Sequence, residues 1–200
     1  MRSAKLRLVR AIFAAARACA VLATAAAVAS GCGAQAPRVS TPTPAQARTE
    51  LAGSPAALAG LHRQASELLG GGLPAYRARL KTLRGRPVVV NAWASWCPPC
   101  RSEMPYFSRL AVRLGRRVAF VGVNVADGAD RARGFLRGHY VPYPSYKDPR
   151  YAIADAIGVR VGLPTTAFYK PDGSVAFVHQ GQYPSERALA ADVRRYAGAS

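Results

Sequence analysis

The chain has 200 residues and a formal net charge of +18, long enough for one compact domain with a real core plus a tether. Such a balance suits nucleic acid, an anionic membrane surface, or a solvated arginine-rich surface. The arginines, among them Arg77, Arg84, Arg117 and Arg133, are scattered and lack any helix-turn-helix, zinc-finger or aromatic-sheet setting. That excludes a reader of nucleic acid and leaves a solvated face first, membrane attraction second.

Residues 1–31 read as a signal peptide of lipoprotein type. Arg2, Lys5, Arg7, Arg10 and Arg17 come first, with no acid among them, and without these five residues 32–200 carry +13. Ala18 to Ala29 is then an apolar run of small residues, too short for a comfortable membrane span. The sequence Val28-Ala29-Ser30-Gly31-Cys32-Gly33 resembles a bacterial lipobox, which implies that Cys32 is lipidated and becomes the mature N terminus. It departs from that pattern at Ala29, where leucine is usual. The alternative takes Ala27-Val28-Ala29 as a small-x-small cleavage site. A secreted or periplasmic soluble chain would then begin at Ser30, with Cys32 as an odd free thiol.

Residues 32–55, rich in Ala, Pro, Thr, Ser and Gln around Thr41-Pro42-Thr43-Pro44, read as a disordered tether. Over residues 56–71 the spacing of Leu58, Leu61, Ala65, Leu68 and Leu69 predicts a helix ending at Gly70-Gly71-Gly72. Leu73 to Leu83 is a helical or irregular approach, and the β-branched run Pro87 to Trp93 predicts a strand buried on both faces. A helix then runs to about Leu114 with Pro105 inside it. Val118 to Val125 predicts a second buried strand, and Asp127 and Asp130 are placed to start the next helix. Tyr140 to Pro144 is a loop, and Asp148-Pro149 opens a short helix that ends at Gly158. A strand after Pro164, a turn at Pro171-Asp172-Gly173, a strand to His179 and a helix from Ser185 to Tyr196 complete the chain. The order βαβα, helix, ββα predicts an α/β fold, a mixed central sheet with helices on both faces.

The chemistry is concentrated in Trp93-Ala-Ser-Trp-Cys97-Pro-Pro-Cys100-Arg-Ser-Glu103. Cysteines three apart share one face of a helical turn, close enough for a reversible disulfide. A structural bridge closing so small a loop would constrain the unfolded chain little, so reactivity explains the pair better. Cys19 leaves with the signal and Cys32 is taken by lipid. Cys97 sits where a helix N terminus lowers a thiol pKa, and Pro98 and Pro99 suit a first turn.

Trp96-Cys97-Pro98-Pro99-Cys100, Pro105, and Leu163-Pro164-Thr165-Thr166 before the hairpin resemble the thioredoxin-like fold over residues 72–200. More narrowly they resemble the extracytoplasmic TlpA/ResA branch of thiol:disulfide oxidoreductases. The resemblance implies Cys97 as exposed nucleophile and Cys100 as resolving thiol. It makes Pro164 the cis-proline beside the substrate chain, with Leu163, Trp96 and Pro98 completing the substrate-binding surface. Glu103 matches a glutamate this branch often carries, and Asn91 replaces the buried aspartate of cytoplasmic thioredoxins, which shifts proton handling to Glu103.

The implied function is reduction of disulfides in exported cysteine-containing proteins such as apocytochrome c, at the outer face of the cell membrane. Electrons would come from a membrane donor of the CcdA/DsbD type, with no cofactor, no metal and no nucleic acid. The alternatives are a thiol oxidase working in the opposite direction and a copper chaperone, whose usual C-x-x-x-C spacing is missing. A peroxidase would need Thr or Ser where Ala94 stands, and a binding module has no need of a dithiol. Half a zinc site completed by His139 and His179 lacks a second cysteine pair. For Glu103 a plain solvated helix position is the competing reading, for Trp93 and Trp96 packing at the rim, and for Pro164 an ordinary trans proline.

Overall fold

The computed structural model describes residues 40–198. The expected signal peptide, Cys32 and the first part of the expected tether lie outside them. The later part of that tether is not extended. Helix α1, Pro44–Glu50, is closed by a capping box in which Gln46 N donates to Thr43 Oγ1 and Thr43 N donates to Gln46 Oε1. Ala47 and Leu51 of this segment are buried, so apolar contact adds to the cap.

Helix α2, Ala56–Arg63, is shorter than its periodicity predicts. Ser66 takes a positive φ of 59°, and its N–H donates to Val141 O at 2.8 Å. This turn redirects Leu68–Leu69 into a short strand, β1. Helix α3, Gly72–Thr82, precedes β2, Val88–Trp93. Helix α4, Pro98–Leu114, contains Pro105, and β3 is Ala119–Val125. Helix α5, Ala129–Gly138, is followed by β4, Ser145–Asp148, which the sequence leaves unpredicted. Helix α6, Ala152–Ala156, starts later than expected, with the Asp148 carboxylate accepting from Ile153 N and Ala154 N. Strands β5, Thr165–Tyr169, and β6, Val175–Gln180, form the hairpin, and α7 is Glu186–Ala197.

The six strands lie in the order β1-β4-β3-β2-β5-β6. The pairs β1–β4, β4–β3 and β3–β2 are parallel, while β2–β5 and β5–β6 are antiparallel. Alternation along β2 sends Val89 and Trp93 into one core with Met104, Phe107, Phe135, Phe168 and Leu189. Val88, Val90 and Ala92 enter the other, with Leu58, Leu61, Tyr76 and Ile153. Helices therefore cover both faces: α4, α5 and α7 on the first, α2, α3 and α6 on the second. That is why β2 reads as a continuous apolar run.

One glycine is set by this packing. Trp93 Nε1 donates to Ser145 Oγ at 3.0 Å across Gly122, and a Cβ there would collide with the Ser145 side chain and stand 3.0 Å from Trp93 Nε1. Gly122→Ala is expected to destabilise the fold by roughly 1–3 kcal/mol, read as a lower denaturation midpoint at unchanged slope.

Candidate active site

The chain leaves β2 at Trp93 and turns at once into α4, with Cys97 as the N-cap residue. Its extended backbone, φ −91° and ψ 103°, releases the helix behind it, and Pro98 and Pro99 occupy the first turn without losing a needed donor. Cys97 and Cys100 are joined as a disulfide with their Cα atoms 5.3 Å apart. Cys100 N donates to Cys97 Sγ at 3.3 Å. A thiolate at Cys97 would face that N–H and the positive helix end, both favouring ionisation.

The exposed nucleophile implied by the resemblance needs a correction for this oxidised form: Cys97 is only 3% exposed and Cys100 1%. Both cysteines belong to the core cluster under the α4 face. The outer surface belongs to Trp96, 52% exposed, and to exposed Pro98.

The loop before Cys97 is fastened to the loop between β3 and α5. Trp96 Nε1 donates to Ala126 O at 3.0 Å. The buried Asp127 carboxylate accepts from Ser95 N at 2.6 Å, Ser95 Oγ at 2.9 Å and Asn124 Nδ2 at 3.0 Å. Sequence reasoning makes Asp127 a helix starter. Its actual role depends on β2 and β3 being neighbours, which no local pattern announces.

Antiparallel pairing of Ala92 with Thr165 places the start of β5 beside the end of β2. The buried Pro164, preceded by half-buried Leu163, therefore lies near the dithiol loop. The Leu163–Pro164 peptide is cis, and Pro164 O accepts from Gly181 N at 2.9 Å.

Glu103 is not a solvated helix residue. It lies one helical turn beyond Cys100 with no exposed surface. Its Oε1 accepts from Asn91 Nδ2 at 3.0 Å and its Oε2 from Tyr183 N at 2.9 Å. Burial outweighs these two donors and raises its carboxyl to about 7. Asn91, 1% exposed, suits both protonation states: its amide can donate to a carboxylate or, turned over, accept from a carboxylic acid. Trp93 packs in the core against Phe135. The two histidines are kept apart, His139 stacked on Phe135 at the end of α5 and His179 stacked on Tyr183 from β6.

A mixed sheet whose second strand delivers a C-x-x-C pair to a helix N terminus, beside a strand led by a cis-proline, defines a thioredoxin-like dithiol protein. The pattern fits the TlpA/ResA branch. The chain belongs to the AhpC/TSA family, which matches residues 72–178. It is 33% identical over 106 residues to the thiol-disulfide oxidoreductase ResA of Bacillus subtilis, covering 52% of this chain and 59% of that one. It is 36% identical over 107 residues to the thiol:disulfide interchange protein DsbE of Escherichia coli, covering 53% and 55%. The match thus spans less than two thirds of either relative's length. Among solved structures, a secreted disulfide oxidoreductase of Mycobacterium tuberculosis aligns with a TM-score of 0.52 at 25% identity, over 57% of this chain and 85% of that one.

Proposed function

We propose that this chain is an extracytoplasmic, membrane-tethered thiol:disulfide oxidoreductase that reduces disulfides in exported proteins such as apocytochrome c. The observation that carries this reading is the cysteine pair at the start of α4, joined as a disulfide one helical turn from a buried carboxyl whose pKa is about 7. In the reduced protein, the Cys97 thiolate attacks one sulfur of a target disulfide. A mixed disulfide forms, and the target's other sulfur leaves as a thiolate. Cys100 passes its proton to Glu103 and attacks Cys97 Sγ. The second target sulfur leaves, and the Cys97–Cys100 disulfide remains. The target gains two electrons and its two thiolates take up two protons. Trp96, Pro98, Leu163 and Pro164 form the surface that receives the target chain. A membrane donor of the CcdA/DsbD type restores the dithiol, and lipid on Cys32 holds the domain at the outer face of the membrane.

Equilibration of the full chain with glutathione buffers tests the direction. A reductant is expected to have a potential well below the roughly −120 mV of a strong thiol oxidant. A value near that oxidant would overturn reduction in favour of thiol oxidation. For the tether, Cys32→Ala is expected to move the protein from the membrane to the soluble fraction, and unchanged retention would count against lipidation.

A further inference from the structure

Strand register gathers the loops of this domain at two opposite ends of the sheet. Val88 at the start of β2 pairs with Ala119 at the start of β3 and with Tyr169 at the end of β5. The segments before β2, before β3 and after β5 therefore share one end, where Gly85 N donates to Pro171 O at 2.8 Å. The dithiol lies beyond Trp93 at the other end, separated by the length of β2, about 17 Å.

The two ends differ in charge. Near the dithiol, cations and acids alternate: Asp127 meets Arg131 at 3.9 Å and Asp130 meets Arg133 at 3.4 Å, while Asp148 and Asp155 flank Arg150 in the chain. At the far end Arg84, Arg116 and Lys170 are exposed and Arg86 is half-buried. Among the described residues, none of these four has a carboxylate oxygen within 4.0 Å of its charged nitrogens. Asp172 stands among them, its carboxyl held below the usual range by hydrogen bonds from Ser174, with Lys170 and Arg84 adding to the effect.

The chain also enters the domain from this half. Arg109 Nη1 donates to Ser40 O at 3.1 Å, and Arg109 lies about 18 Å along α4 from Cys97. From Ser40 back to Cys32 the chain spans at most about 28 Å.

We propose that the end carrying Arg84, Arg86, Arg116 and Lys170 is a docking surface for anionic phospholipid headgroups, which turns the dithiol away from the bilayer. The cations stand on three separate loops, which suits a flat array of many headgroups better than a single acidic peptide, and the short tether keeps them within reach of the membrane. This rests on the lipid at Cys32 for proximity, although the headgroup contact itself does not need it. Each cation set against an anionic bilayer raises partition about fivefold. The attraction fades over a Debye length of about 8 Å at physiological salt, so the contact is reversible and leaves the domain free to turn its dithiol to a membrane donor.

The test is sedimentation of the Cys32→Ala full chain, which carries no lipid, with vesicles of phosphatidylglycerol or of phosphatidylcholine. Binding to the first, little to the second, and release by about 0.5 M salt are expected. Arg84→Gln, Arg116→Gln and Lys170→Gln together should weaken binding on the order of a hundredfold. Arg101→Gln, Arg150→Gln and Arg160→Gln, which remove the same charge from the dithiol end, should weaken it far less. Equal losses in the two triple variants would mean attraction by net charge alone and overturn the docking surface. Equal binding to both lipids would do the same, as would no binding to phosphatidylglycerol, which would leave the basic end to an acidic protein. Brominated phosphatidylglycerol reads the direction. Trp93 and Trp96, the two tryptophans of the chain, both lie at the dithiol end and should stay unquenched on the vesicle; quenching would overturn the orientation. Cell membranes washed at high salt separate the two readings, since retention there reports the Cys32 lipid alone. If the native chain washes off while the vesicle results hold, lipidation fails and the docking surface stands.

Discussion

Cys100→Ser is expected to abolish catalytic turnover and to leave Cys97 in a stable mixed disulfide with exported cysteine-containing proteins. The second half of the exchange needs a thiolate within reach of Cys97 Sγ, and Cys100 is held there by the first turn of α4, its Cα 5.3 Å from that of Cys97. A serine hydroxyl at that position cannot expel a thiolate, so the covalent intermediate accumulates. Cys97→Ser removes the attacking atom and should trap nothing. The measurement is non-reducing electrophoresis of acid-quenched cells, with the trapped partners identified by mass spectrometry. Absence of adducts in Cys100→Ser, or equal adducts in Cys97→Ser, would sink the oxidoreductase reading.

Glu103→Gln is expected to slow exchange and to stabilise the fold at the same time. The buried carboxyl titrates at about 7 rather than at 4.5, so the folded chain holds this proton more tightly than the unfolded one. Its contribution to stability is complete below about pH 4.5 and is lost as the pH rises through about 7. The difference across that window is on the order of 3 kcal/mol. A glutamine can accept from Tyr183 N and donate to Asn91 Oδ1 once that amide turns over, so it keeps the contacts without the charge. Denaturation at pH 5 and pH 8 should therefore show a steep loss in the native chain and a much smaller one in the variant, which is the more stable protein at pH 8. Disulfide closure near pH 7 should fall on the order of 10²-fold, the usual size of a lost general base. Equal pH dependence of stability in the two proteins would mean that Glu103 does not carry the buried proton.

The dithiol stretch was legible because its signals are local. A β-branched run wide enough to be buried on both faces can only be a central strand, and Cys-Pro-Pro-Cys directly after it starts a helix whatever surrounds it. The strand after Pro164 and its hairpin turn were equally plain. Strand β4 was not, because Ser145-Tyr-Lys-Asp148 has neither an apolar run nor β-branched residues. It is a strand because β3 offers it an edge and β1 takes its other side. Helix α1 was hidden by tether-like composition, although Thr43 and Gln46 carry a capping signal of their own. Leu68 and Leu69 continue a helical period that Ser66 breaks by a backbone turn held from Val141, seventy-five residues away.

By itself the sequence determined the order of the principal elements, the cysteine pair and its place at a helix start, since each depends on neighbours within a few residues. Only the tertiary structure decided the state of the groups around that pair. Glu103 is a buried acid near neutrality, not a solvated one, because Asn91 and Tyr183 arrive from other elements and exclude water from it. Asp127 fastens the dithiol loop because two strands lie side by side, and Arg84, Arg116 and Lys170 come to one end of the sheet only through strand register. Charge and proton affinity depend on burial and on partners distant in the chain, which no local pattern encodes.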